Sequence, residues 1–445
     1  MKTLLTEKYL LPIVILGLTL VYLAGVAGVP FHPDESTQLF MSADVNTLFT
    51  HPADLFWSPD RQQDPRQLYH ELDAPLARYL IGAGRSLACL PALPVDWDWS
   101  KSWDANQAAG ALPDARLLLV ARFSVAILFP FGLFFIYKSG QSIGGSVMGW
   151  AALLLLAANP LVLLHTRRAM AESGLIFTIT LFLWALTRPL KPAWWIAIPA
   201  ALVFCSKQSA GILALVGLAF LLWRGWQQKH SLAKQLGNSA LYGAVFLAVV
   251  VLLNPFLWSN PIQAGLAAVN ARQALTNSQV AAMGAVRPDM LLGSLPQRLL
   301  GLVAQLFITR PAVADIGNYL AQTNAAQIAY FSSPFNLILS GLVGGGVLLI
   351  VSLTGFIIAA VRSIRANDPT KGITLLLLLS SLLIFITLVW FLPIPWQRYY
   401  LPLVPFTCLW AAYTVSKAIS LIRSFKTVPV LKDMKKSEVQ EKNRF

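Results

Sequence analysis

The sequence predicts an all-α polytopic membrane protein, and three observations carry that prediction. Of 445 residues, 56% are hydrophobic and only 12% charged, the apolar residues gather into ten runs, and basic residues collect in the connections on one side of those runs. An ordinary soluble chain carries about 25% charged residues, and a helix crossing a hydrocarbon core roughly 30 Å thick needs about 20 residues. Little chain is left for a separate soluble unit. Residues 1–425 are therefore expected to form a single membrane domain, followed by a basic cytoplasmic tail at 426–445.

Taken in order, the apolar runs lie at roughly 9–28, 115–137, 146–164, 173–187, 193–206, 208–223, 239–257, 335–361, 373–392 and 399–421. The first lacks a small-residue cleavage site and is followed by further spans, which predicts a retained helix. The two runs at 193–206 and 208–223 are short and meet at "CSKQSAG", placing Lys207 at a membrane surface or in a hydrated cavity. If the spans alternate, Lys8, Lys138, Arg188, Lys191, Arg224, Lys229, Lys234, Arg362, Lys371 and both termini share one side, the cytoplasm by the positive-inside rule. The net charge of +14 is then a topology signal, and nucleic acid is not an expected partner. Cys89, Cys205 and Cys408 are widely spaced and form neither a disulfide framework nor a metal motif.

The other side carries two long extracytoplasmic loops, 29–113 and 258–334. The first holds 11 of the 20 acidic residues against five basic ones. Within it "APLARYLIGAGRSLACL", with Arg78 and Arg85 seven apart, reads as an amphipathic helix lying along the interface. Similar short helices are expected at 261–283 and 295–308. Trp57, Trp97, Trp99 and Trp103 suit aromatic anchors at the membrane surface.

The informative residues are ionisable groups that composition does not explain. "VPFHPDESTQLF" places Asp34 and Glu35 directly after the first span. A solvated loop start or a helix cap would account for them. A second acid, Glu172 in "HTRRAMAESGLIF", comes at the same depth, where ionisable groups cost about 2.5–3.5 kcal/mol on insertion scales and usually face a cavity. Arg122, Arg167, Arg168, Lys207 and Arg398 lie at similar depth. Ordinary ion pairs, such as Arg168 with Glu172 at i,i+4, would neutralise some of them. The excess of positive charge suits an anionic phosphate ligand, and acid plus phosphate-binding cations point to group transfer.

This arrangement resembles the C-type fold of membrane glycosyltransferases, in particular the protein O-mannosyltransferase and lipid A aminoarabinose transferase group, which uses polyprenyl-phosphate sugars. "HPDES" is similar to the group's acidic first-loop motif, and "ELDAPLARYLIGAG" to its HPPL-type segment, with Asp73 and Ala74 departing from that pattern. "HTRRAMAESGLIFTITLFLWAL" resembles the second-loop segment, with Glu172 where an Asp is common. "FCSKQSAGILAL" resembles the segment with a phosphate-side Lys, and "RYYLPLVPF" the start of a late span.

The resemblance implies inverting transfer of a sugar from a polyprenyl-phosphate donor to an acceptor hydroxyl at the extracytoplasmic face. Asp34 would be the base, Lys207, Arg398, Arg168 and Arg122 would hold the donor phosphate, and Asp73, Tyr399 and His165 would position substrate. Glu35 and Glu172 are grouped with Asp34 as catalytic; they would orient the acceptor, tune Asp34 or hold a divalent cation, the only cofactor the reading leaves open. The histidines show no ligand spacing. Partners would be the lipid-linked donor, a protein, lipid or glycan acceptor, and membrane lipids, and the expected location is a bacterial plasma membrane. A transporter or flippase of an amphipathic solute, or a non-catalytic subunit of a glycosylation complex, are the alternatives.

Overall fold

In a computed structural model the protein is described over residues 2–189, 191–314, 319–365 and 370–427; the basic tail beyond lies outside the described residues. Nineteen α-helices, joined by short 3-10 turns, make up the described chain. The first, α1 (Lys2–Ala24), carries no charge after Lys8, as a helix immersed in lipid does.

The first outer loop folds into short helices: α2 (Pro33–Met41), α3 (Asp44–Thr50), α4 (Pro65–Leu72), α5 (Leu76–Leu87) and α6 (Trp103–Ala108). Local sequence starts most of them. His32 caps α2 by accepting from the Asp34 amide, Glu35 reaches back to the His32 amide, and Pro33 opens the first turn. Asp64 and Ser102 cap α4 and α6 in the same manner. The helix expected from "APLARYLIGAGRSLACL" is α5, and its two arginines are drawn inward. Arg78 and Arg85 are only 3% and 4% exposed and point into the loop. Arg85 donates to the Ser42 hydroxyl (3.0 Å) and to the Leu90 carbonyl (2.7 Å), and Arg78 approaches the buried Asp44, which His70 also contacts at 2.7 Å. These arginines face inward because the loop has its own polar core.

Asp114 caps α7 (Ala115–Ala126), and α8 (Phe129–Ala157) follows. Near its middle α8 breaks at Gly144 and Gly145, the latter at φ +77°, and the chain doubles back. The arms come so close that a Cβ on Gly149 would lie 2.9 Å from the Tyr137 carbonyl oxygen, which reserves the position for glycine. This break separates the apolar runs 115–137 and 146–164. Next come α9 (Pro160–His165), α10 (Ala171–Leu186), α11 (Ala197–Ser206), α12 (Leu213–Gln227) and α13 (Leu232–Leu253).

The second long loop contributes α14 (Pro261–Val286), α15 (Leu295–Val303) and α16 (Leu320–Ser332), and the chain ends with α17 (Gly341–Arg365), α18 (Lys371–Phe391) and α19 (Val404–Thr427). Each of the ten apolar runs lies mainly on helix. Among the described residues, six helical stretches are long and apolar enough to cross a membrane, and 171–186, 193–206 and 295–308 are shorter apolar helices. Leu16, Leu20, Leu247, Leu252, Ile357 and Ile386 are exposed on them, a surface suited to lipid and not to water. The chain is an integral membrane protein. Its main core joins α1, α8, α10, α11, α18 and α19, with Tyr22 stacked on Phe129 at 3.8 Å between ring centroids.

The two outer loops pack together on one end of this bundle. The Trp57 amide donates to the Phe256 carbonyl (3.1 Å) and the Ser259 hydroxyl to the Trp57 carbonyl (2.9 Å). Trp97, Trp99 and Tyr319 form an edge-to-face cluster with centroids 6.2–6.5 Å apart. Trp97 is buried at 2% exposure, so the tryptophan segment 97–103 joins the loops and does not serve as a simple belt.

Candidate active site

Between the loops and the bundle lies a cavity of about 470 Å³. Short backbone irregularities aim its polar lining. Lys207 follows the last turn of α11 in extended conformation (φ −161°, ψ 121°) before a 3-10 turn at Gln208–Ala210, so its side chain leaves the helix axis and reaches the cavity. Arg398 and Tyr399 sit on a 3-10 segment, Gln397–Leu403, where Trp396 precedes and α19 follows. Glu172 occupies the first turn of α10, a position that favours a carboxylate.

The structure brings six of the ten anticipated residues to this one cavity: Asp34, Asp73, Glu172, Lys207, Arg398 and Tyr399. Arg398 forms an ion pair through Nη1 with Asp34 Oδ2, and Lys207 Nζ pairs with Glu172 Oε1 at 2.8 Å. Both cations share the Tyr399 ring, with Lys207 Nζ 5.1 Å and the Arg398 guanidinium 5.5 Å from its centroid. Cation–π attraction holds both against one rigid ring. The Asp34 side chain keeps 30% of its surface exposed. Glu172 Oε2 is buried without a hydrogen-bond partner among the described residues.

Four anticipated residues are elsewhere. Glu35 is fully buried and receives Arg122 Nε and Nη2 at 2.8 Å each, the Ala169 amide at 2.9 Å and the His32 amide at 3.1 Å. Burial works against its ionisation, but Arg122 and then Arg168 and the Ala169 amide hold the carboxyl below its ordinary range. Arg122 adds bonds from Nη1 to the Val26 and Val29 carbonyls. Glu35 and Arg122, grouped above with the catalytic and phosphate-binding residues, thus fasten the loop to the segment after α1, to α7 and to residue 169, outside the cavity lining. Arg168 is likewise turned away, donating to the Pro30 and Val313 carbonyls. It lies in a bend before α10, where no i,i+4 geometry with Glu172 exists. His165 ends α9, buried outside the cavity lining. The cap expected of Asp34 and Glu35 is made by His32 with Glu35, which leaves the Asp34 carboxylate to face the cavity.

The lining also holds residues that the sequence does not single out. Arg272 of α14 bonds the Leu72 carbonyl and stands 3.9 Å from Asp73 Oδ1. Its polar surroundings, "NARQALTNSQ", read as an exposed helix and carry no signal of a site. Thr37 and Gln38, one turn after Asp34 on α2, also line the cavity, a face that the spacing i, i+3, i+4 could have revealed.

Among the described residues no three His, Cys, Asp or Glu side chains gather to hold a metal. The cavity carboxylates each lie beside a different cation, a donor set that does not fit a divalent ion, and no step is assigned to one.

No protein-family model matches the sequence, and no curated protein matches it. Among solved structures, the chain is similar to the archaeal oligosaccharyltransferase AglB from Archaeoglobus fulgidus, determined with an inhibitory peptide and a dolichol-phosphate, at TM-score 0.50 and 15% identity over 95% of this chain. The chain spans about half of that protein, 52% of its length. ArnT from Cupriavidus metallidurans, bound to undecaprenyl phosphate, aligns at TM-score 0.36 and 12% identity over 93% of this chain and 79% of its own. With its helical order, the loop-covered cavity and the alignment to AglB over nearly its whole length, the chain has the C-type fold of membrane glycosyltransferases.

Proposed function

We propose that the protein transfers a single sugar from a polyprenyl-phosphate-linked donor to an acceptor hydroxyl, with inversion at the anomeric carbon, on the extracytoplasmic side of a bacterial plasma membrane. The observation that carries this reading is the convergence of Asp34, Lys207 and Arg398, from three distant parts of the sequence, on one cavity. The basic residues of the short connections support placing both termini in the cytoplasm, and residues 1–425 act as one domain.

The chemistry divides among the lining residues. Asp34 accepts the proton of the acceptor hydroxyl as its oxygen forms a bond to the anomeric carbon. The bond from that carbon to the phosphate oxygen breaks on the opposite face of the sugar. The donor phosphodiester carries one negative charge and the departing polyprenyl phosphate two, so the charge to be stabilised grows along the reaction; Lys207 and Arg398, held against Tyr399, are placed to meet it. Each of these cations is partnered by a carboxylate, Arg398 by Asp34 and Lys207 by Glu172. A phosphate entering between them takes over the cations, and Asp34 then turns its lone pair to the acceptor. Glu172 keeps Lys207 oriented until that exchange. The polyprenyl tail explains a membrane enzyme, since extracting it would cost about 0.8 kcal/mol per CH₂.

The test is transfer by the purified protein in lipid nanodiscs, supplied with radiolabelled undecaprenyl phosphoryl-hexoses and envelope extract as acceptor. Label should leave the lipid only when Asp34 is intact. Equal release by the Asp34→Asn variant would remove Asp34 as the base, movement of unaltered lipid without release would overturn the reading in favour of a flippase, and neither release nor movement would favour a scaffold.

A further inference from the structure

We infer that the acceptor is itself a saccharide, and that Gln38, Asp73, Trp99 and Arg272 form the half of the cavity that binds its hydroxyls and ring face. The inference rests on the transfer reading above and names its second substrate. Its starting point is Gln38. The side chain lies one helical turn beyond Asp34 on the same face of α2, so their Cβ atoms are about 5–6 Å apart. It is 7% exposed, lines the cavity, and its Oε1 has no hydrogen-bond partner among the described residues. A buried amide oxygen left without a donor is costly. A hydroxyl next to the one that Asp34 deprotonates would satisfy it.

Across the cavity Asp73 offers a second acceptor. Its carboxylate is 37% exposed, and the nearest cation, Arg272, stands 3.9 Å away, beyond hydrogen-bond reach. Asp73 therefore retains free lone pairs and Arg272 free donors, a combination suited to a ligand whose hydroxyls both give and accept hydrogen bonds. Trp99, also in the cavity lining, provides a flat apolar surface. Trp99 is 36% exposed, and its ring is wedged edge-on by His32 at 6.3 Å, Tyr319 at 6.2 Å and Trp97 at 6.4 Å. Rigid aromatic rings of this kind accept the C–H face of a pyranose at little entropic cost. A serine or threonine side chain brings one hydroxyl and no such face.

Saturation-transfer NMR on the full-length protein in nanodiscs tests the inference, with methyl α-mannopyranoside, methyl β-glucopyranoside, methyl β-galactopyranoside and the blocked peptide acetyl-Ala-Thr-Ala-amide as probes. At least one glycoside should show saturation of its ring protons, reduced about fivefold or more by Trp99→Ala and by Gln38→Leu and retained in Trp99→Phe. Binding of undecaprenyl phosphate, measured on the same samples, should be unchanged and reports that the variants are folded. Four results would overturn the inference: saturation of the peptide alone, saturation of no probe, a glycoside signal that survives both substitutions, or its loss once undecaprenyl phosphoryl-mannose or -glucose fills the cavity, which would assign the groups to the donor sugar. Failure of the wild-type protein to bind undecaprenyl phosphate would instead strike the transfer reading, so the two outcomes are separable.

Discussion

Asp34 and Glu35 are consecutive, and each meets an arginine, yet the two pairs belong to different kinds of place. Glu35 is sealed: its oxygens receive Arg122 twice and two backbone amides, and neither partner touches the cavity. Asp34 is open: it shares Arg398 with a space large enough for a sugar and a phosphate. The capping box on His32 turns the α2 backbone so that one carboxylate points into the protein and its neighbour into the cavity. A carboxylate's role is thus set by which side of a single helical turn it occupies, and a charge deep in an apolar context reports depth without direction.

Substitutions should separate the two pairs. Asp34→Asn should lower turnover about 10²- to 10⁴-fold while the protein stays folded and binds undecaprenyl phosphate at least as tightly, because Arg398 no longer has a competing carboxylate. A single-turnover assay with lipid-binding measurements checks both halves. Arg122→Ala should act on the fold, since leaving a buried carboxylate unpaired costs about 3–5 kcal/mol. Loss of yield or a steep fall in melting temperature would show it, and normal stability with a selective loss of turnover would break the comparison. Arg398→Ala should weaken donor binding strongly yet leave the protein folded, because Asp34, the carboxylate it strands, keeps 30% of its surface exposed. Glu172→Gln should strengthen undecaprenyl phosphate binding a few-fold by releasing Lys207; weaker binding would show that Glu172 positions Lys207 more than it competes for it.

The smallest effect concerns acidity and the polar core of the first outer loop. Burial, against the pull of Asp44, lowers the pKa of His70, and Arg78 and Arg66 add to the lowering. An unfolded chain therefore binds the proton more readily than the folded one as pH falls below the ordinary histidine value of about 6.5, and stability should decline over that range. Melting curves between pH 7.5 and 5.5 should show a fall of a few degrees, diminished in His70→Gln. No change would mean that Asp44 balances the cost of burying the charged ring.

Much of the architecture was legible because membrane helices announce themselves by composition: the gap between the runs 115–137 and 146–164 holds Gly144 and Gly145, where the chain reverses. Lys207 was legible because a lysine at the junction of two short apolar helices must reach water or a polar cavity to keep its charge. Arg122 and Arg168 misled for the same reason that Arg78 and Arg85 did. A cation in an apolar setting must be compensated, but the compensating group here is a carbonyl or a carboxylate chosen by tertiary packing, which spacing along the chain does not encode. Arg272 failed in the opposite direction, since a lone arginine on a polar helix looks like any solvated residue until α14 is laid over α4 and its guanidinium meets Leu72 and Asp73.

The Glu35 knot has a consequence for how such a protein can change over generations. It ties residue 169, three positions before Glu172, to the same helix that bears Asp34, so the reactive carboxylate and the neighbour of the lysine are moored to one post. On the transfer reading, Trp99, Asp73 or the overlying α14 can then change with the acceptor without resetting the chemistry beneath, much as a tool keeps its handle while its bits are exchanged.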